Sequence, residues 1–156
     1  MHKLTDLWDR LNCLTRFSFK VNSSQSSLAG WQGEGSGLIK RRSEHGLMKQ
    51  GALLETIERG EYFVAPQCKL AMHNHYLWQF EGDHIRLTHL RFGWDKPVFL
   101  FDIIENEAGE IVTRQSHQCA ADNYNALFTL LPEGIAVQWH IQEPSKSEVL
   151  DYVYSV

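Results

Sequence analysis

From Cys68 to Phe80 the side chains alternate without a break. Cys68, Leu70, Met72, Asn74, Tyr76, Trp78 and Phe80 fall on one face, and Lys69, Ala71, His73, His75, Leu77 and Gln79 on the other. A period of two held over that length demands a strand and excludes an amphipathic helix, whose period is about 3.6 residues. Glu81-Gly82-Asp83 makes a hairpin turn. The chain then returns through His84 to Arg91, with Ile85, Leu87 and His89 sharing a face.

The same rhythm recurs on both sides. Phe17, Phe19 and Val21 alternate with Ser18 and Lys20. After the polar stretch Asn22 to Ser27 comes a glycine-rich strand, Leu28 to Ile39, with Gly33, Gly35 and Gly37 on the face that carries Trp31. Strand glycines mark close backbone approach or a sharp bend, which a strongly coiled barrel strand requires. No helix pattern and no Lys-Ser/Thr pair follow, so a phosphate loop is excluded. Arg41 to Gln50 reads as a loop, Ala52 to Ile57 as a strand, Arg59-Gly60 as a turn, and Tyr62 to Val64 as a short strand ended by Pro66. Further strands are expected at Val98 to Glu105, Ile111 to Cys119, Ile135 to Ile141 and Val149 to Val156.

Two segments break the pattern. Leu4, Leu7, Trp8, Leu11 and Leu14 lie at helical spacing, giving an amphipathic helix that either covers a barrel end or packs outside a sheet. Tyr124, Leu127, Phe128 and Leu131 also sit at helical offsets, and a short helix is expected near 122–131. About eight to ten antiparallel strands without βαβ order exclude a parallel sheet and close best into an up-and-down barrel, with a sandwich as the alternative. The expected fold is therefore all-β, one closed antiparallel barrel domain over residues 1–156. A barrel of about eight strands can be filled by its own side chains or hold one small ligand.

Composition narrows the function. Of 156 residues, 43% are hydrophobic, enough for a core that needs neither disulfide nor metal. The net charge of −4 and a single basic cluster, Lys40-Arg41-Arg42, argue against nucleic acid. Cys13, Cys68 and Cys119 are odd in number and form no CxxC pair. No apolar run has the length of a signal peptide or a membrane span, so a cytoplasmic protein is expected. A homodimer is compatible with the sequence.

Chemistry is densest at Ser116-His117-Gln118-Cys119-Ala120-Ala121-Asp122-Asn123-Tyr124. His117, Cys119 and Asp122 could bind zinc, with His89 as a fourth ligand. His117 could instead activate Cys119 as a nucleophile, or act as a general base with Asp122 holding its tautomer. In the structural reading Asp122 caps the helix that follows it, and His117 and Tyr124 tie the barrel mouth together. No metal site is assigned. His73-x-His75 shares a solvated face with Lys69 and Gln79, whereas His89 shares one with Ile85 and Leu87 and points inward. Phe99, Phe101 and Ile103 are expected to face inward and Asp102 water, because an unpaired buried charge is costly. Trp31, Tyr76, Trp78, Trp139, Tyr152 and Tyr154 either line an aromatic cavity or fill the core.

Gly30-Trp31 resembles the Gly-x-Trp region of the calycin group, the lipocalin and fatty-acid-binding type of barrel. Trp31-Gln32-Gly33-Glu34-Gly35 resembles the start of nitrobindin-like haem barrels. More of the chain resembles a family of small lipocalin-like domains of unknown function. That likeness rests on Glu58-Arg59-Gly60, His75-Tyr76-Leu77-Trp78, His117-x-Cys119-x-x-Asp122-x-Tyr124, Trp139-x-Ile141-x-x-Pro144-x-Lys146, and Tyr152 with Tyr154. The chain departs from it at Glu143, where glycine is expected, and at His73, where arginine is expected. The resemblance implies a lipocalin-like barrel and no reaction. The expected function is binding of a small apolar or aromatic ligand, with His117, Tyr124 and His89 orienting it and Trp31, Tyr76 and Trp139 around it. A barrel-interior isomerase, cyclase or hydrolase using His117, Asp122 and Cys119 is the alternative. No cofactor is expected, haem being the one other candidate.

Overall fold

Each strand pairs with the next along the chain, so the order of the sheet is almost the order of the sequence. The computed structural model describes residues 2–23, 33–43, 51–64, 68–114, 117–119, 122–142 and 147–156. One helix, α1 (His2–Leu11), precedes β1 (Arg16–Ser23), β2 (Gly33–Ser43), β3 (Ala52–Val64), β4 (Cys68–Phe80), β5 (Ile85–His89) and β6 (Val98–Glu105). There follow β7 (Ile111–Thr113), β8 (His117–Cys119), β9 (Asp122–Leu131), β10 (Gly134–Gln142) and β11 (Ser147–Ser155). β1 to β7 are neighbours in sequence order, β7 pairs with β9, and β9 continues through β10 and β11. β11 then pairs with β1 from Arg16 opposite Ser155 to Ser23 opposite Glu148, which closes the ring. Among the described residues ten strands form this antiparallel up-and-down barrel, and β8 extends the edge of β9 beyond β7. Closure removes the exposed strand edges that an open meander would leave.

The two ends of the barrel differ. At one end α1 lies across the opening. Its Leu4, Leu7, Trp8 and Leu11 are buried, and Trp8 meets Phe80 with ring centroids 5.4 Å apart. The polar face ties the helix to the rim: Lys3 Nζ donates to the Gly109 carbonyl at 2.6 Å and an Arg10 guanidinium N–H to the Gly134 carbonyl at 3.1 Å. Four buried side chains of this size stabilise the closure by about 2 kcal/mol each. Arg41, from the basic cluster, secures the link after the helix by donating to the backbone carbonyls of Leu14, at 2.5 Å, and Asn12. Arg41→Ala is expected to cost about 1–2 kcal/mol, read as a lower urea midpoint with an unchanged slope.

Three sequence expectations are corrected. Residues 122–131 are strand β9, not a helix, and Asp122 therefore caps no helix. Tyr124, Ala126, Phe128 and Leu130 alternate inward as well as Tyr124, Leu127, Phe128 and Leu131 match a helix. The tie is broken by β10, which pairs with β9 from Gly134 opposite Leu131 to Gln142 opposite Asn123. Arg59-Gly60 is not a turn but the middle of β3, where Gly60 lies opposite Gly37 of β2. A Cβ on Gly60 would sit 2.0 Å from the Ser36 carbonyl oxygen, so the glycine serves backbone contact rather than chain reversal. The expected strand over Ile111 to Cys119 is broken into β7 and β8, with Val112 opposite Leu127 but His117 opposite Tyr124.

Phe99 also departs from expectation. It is 39% exposed, while Leu100, Phe101 and Ile103 are buried. The β5–β6 register shifts between Leu87 and Thr88, and this bulge turns Leu100 and Phe101 inward together. Asp102 keeps to the outer side as expected, held by Arg86 at 3.2 Å and Arg114 at 3.6 Å.

Candidate functional site

The inner face of the barrel changes character along its length. Beside α1 it is packed solid by Phe80, Ile85, Leu87, Phe101, Ile103 and Ile135. Trp78 belongs to this filled part, and its indole N–H donates to Thr56 Oγ1 at 2.9 Å. Toward the opposite end the packing opens into a cavity of about 340 Å³. That is the low end of the range for small-molecule pockets, about 300–1,000 Å³.

Aromatic and aliphatic side chains form the wall, with Tyr76, Trp139, Tyr152, Leu100, Ile141 and Leu150 contributed by β4, β10, β11 and β6. All but Leu100 arrive by strand alternation. Leu100 is present because of the β6 bulge. The polar lining is sparse: Asn74, His89, Tyr124 and, at the mouth, Arg91. His89 lies opposite Tyr76 in the β4–β5 ladder and stacks on it, with ring centroids 4.9 Å apart at 27°. Burial, then the charges of Arg91, His75 and His73, push the His89 imidazole down to about 4. At neutral pH it is an uncharged ring with one donor and one acceptor nitrogen.

Behind this wall stands Glu58, on the inner face of β3 directly opposite Asn74. It is 1% exposed. Asn74 Nδ2 donates to its Oε1 at 3.3 Å and the Tyr154 hydroxyl to its Oε2 at 2.7 Å. Burial pushes the carboxyl up to about 7, against the lowering effect of the Tyr154 and Asn74 hydrogen bonds. Burial first, and then the Glu58 charge, raise the hydroxyls of Tyr76, Tyr152 and Tyr154. The result is an internal acid poised near neutral pH within a cluster of protonated phenols. Such a group can release or take up a proton, or balance a positive charge.

Of the sequence-derived site residues, Tyr76, His89, Tyr124 and Trp139 come together around the cavity. Trp31 and the side chains of His117, Cys119 and Asp122 lie outside the described residues, as do the 44–50 segment and the turn from Glu143 to Lys146. The backbone of His117 pairs with Tyr124, which places β8 beside the cavity end of β9. Tyr152 lines the cavity, whereas Tyr154 joins the network around Glu58. His73 is exposed, and His75 is paired on the outer side with Glu55 at 2.5 Å.

Glu58, which the sequence pointed to only through the Glu58-Arg59-Gly60 likeness, was given no place in the site. Its signal was present: Ala52, Leu54, Thr56 and Glu58 continue one alternating face, and a carboxylate ends a buried series. The expected strand, ended at Ile57, stopped one residue short of it.

Comparison with solved structures finds the S-type phycobiliprotein lyase CPES from Guillardia theta, with a TM-score of 0.59 and 7% identity over 97% of this chain and 91% of that one. At that identity the likeness is one of fold, a calycin-like barrel. No curated protein matches in sequence. The family model described as a family of unknown function (DUF6314) matches residues 17–156, all of the barrel strands but the first residue of β1, and the chain belongs to that family.

Proposed function

We propose that the open half of the barrel binds one small, mainly apolar or aromatic molecule. The observation that carries this reading is the cavity of about 340 Å³, lined by aromatic and aliphatic side chains at one end of a barrel whose other end is closed by α1. A chain with this much apolar surface could have filled the space, as it does beside the helix. Burial of ligand surface against Tyr76, Trp139, Tyr152 and Leu150 supplies the affinity, and His89, Asn74 and Tyr124 set the orientation. That a phycobiliprotein lyase has a similar fold lends general support to a barrel that handles small molecules.

Leu150 offers a test because it lines the cavity and is only partly buried. The wild-type barrel is expected to bind anilinonaphthalene sulfonate, read as enhanced dye fluorescence. Leu150→Trp, which fills the cavity, is expected to weaken that binding at least about tenfold, or about 1.4 kcal/mol. Unchanged dye binding by a folded Leu150→Trp barrel would overturn the reading, as would the absence of any binding to the wild type.

A further inference from the structure

Glu58 is buried, yet among the described residues no lysine, arginine or histidine side chain pairs with it. Its hydrogen-bond donors, Asn74 and Tyr154, are both neutral. Buried carboxylates ordinarily have a cationic partner, because neutral donors recover only part of the lost hydration. Asn74 links the acid to the cavity: it donates to Glu58 and also lines the pocket, as do Tyr76 and Tyr152, whose hydroxyls respond to the Glu58 charge. With Nδ2 committed to Glu58, the amide oxygen of Asn74 is the atom left to accept a donor from the cavity. Among the described lining residues the cation is Arg91, at the exposed mouth, so described positive and negative charge are separated along the depth of the cavity.

We infer that the molecule held in this cavity carries a basic nitrogen, a protonated amine or comparable cationic N–H group on an apolar body, and that it sits against Asn74 with its charge balanced by Glu58. The inference rests on the cavity being a binding site and adds the chemical class of the ligand. An anionic group on the same molecule is directed to the mouth, toward Arg91. The ligand thus supplies the positive charge that no described residue brings to Glu58.

Naphthylmethylamine, naphthylmethanol and naphthoate share one apolar body and differ in charge. Calorimetric titration of the full chain at neutral pH is expected to rank the amine at least about tenfold tighter than the alcohol. In Glu58→Gln, which keeps the size and polarity of the side chain, the amine is expected to fall to the level of the alcohol. Equal binding of amine and alcohol to the wild type overturns the inference and leaves the cavity a binding site. Persistence of the amine preference in Glu58→Gln overturns it as well, whereas failure of all three probes to bind overturns both readings. Should Glu58→Gln not fold, the ranking of the three probes by the wild type decides.

Discussion

Gly60→Ala is expected to lower the stability of the barrel by about 3 kcal/mol or more, although it adds a single methyl group. The added Cβ would lie 2.0 Å from the Ser36 carbonyl oxygen and 2.7 Å from the Gly37 Cα. Both are backbone atoms of β2, so no rotamer change can make room. A Cβ at Gly37 would in turn lie 2.1 Å from the Arg59 carbonyl oxygen. The two glycines are register partners, and β2 and β3 must separate to admit either methyl. The smaller unfolded-state entropy of alanine returns only about 0.4–1 kcal/mol. Ser36→Ala, on the exposed face of β2, is expected to change stability by less than about 0.5 kcal/mol. Urea unfolding of the three proteins checks this, and a Gly60→Ala midpoint equal to that of the wild type would refute the role given to the glycine pair.

That pair also shows where the sequence was legible and where it was not. Period-two alternation located the strands because each has one buried face, and the pairing of β11 with β1 decides for the barrel over the sandwich. The glycine series on β2 was readable as a site of close approach. Its partner Gly60 was not, since a lone glycine after a charged residue looks the same whether it turns the chain or lets another strand in. Only the pairing across strands separates the two. For the same reason β9 looked helical: its apolar residues fit both periods, and β10 decides between them. The bulge in β6 likewise depends on β5 and moved Leu100, not Phe99, inward.

The candidate site divided along similar lines. His89, Tyr76 and Trp139 could be assigned to the interior because each continues an alternating, mainly apolar face. Glu58 continues such a face as well, but no role could be read for it, because its meaning comes from Tyr154, on the far side of the sequence, and from Asn74 on the next strand. A carboxylate on an apolar face reads as a strand end until those two donors are known. The cavity itself was undecidable from aromatic content, since Trp78 and Trp139 sit on equally regular strands and one is packed by Thr56 while the other borders open space.

The acid at the centre of that network should announce itself in the pH dependence of folding. Burial raises the folded-state value of Glu58 from 4.5 to about 7. The folded chain therefore binds more protons than the unfolded chain between those values, so the stability this group contributes is fully present below 4.5 and is lost as pH rises through about 7. The loss amounts to about 3 kcal/mol. His89 acts in the opposite sense: its folded value is depressed from 6.5 to about 4, and stability is lost as pH falls through that interval. The wild-type curve is thus a sum of two slopes that partly cancel. Glu58→Gln removes one and keeps the other. Its amide can accept from Asn74 through oxygen and donate to the Tyr154 oxygen through nitrogen, so both contacts are kept, the second with its direction reversed. The variant is expected to gain stability over the wild type on going from pH 4.5 to pH 8, approaching about 3 kcal/mol at the upper end. Urea midpoints measured across that range give the difference curve directly, and two parallel curves would remove the poised acid from the account. The same cost explains why a cationic guest matters. No described residue pairs Glu58 with a cation, so its ionisation destabilises the barrel at neutral pH, and a bound positive charge would return that free energy as affinity.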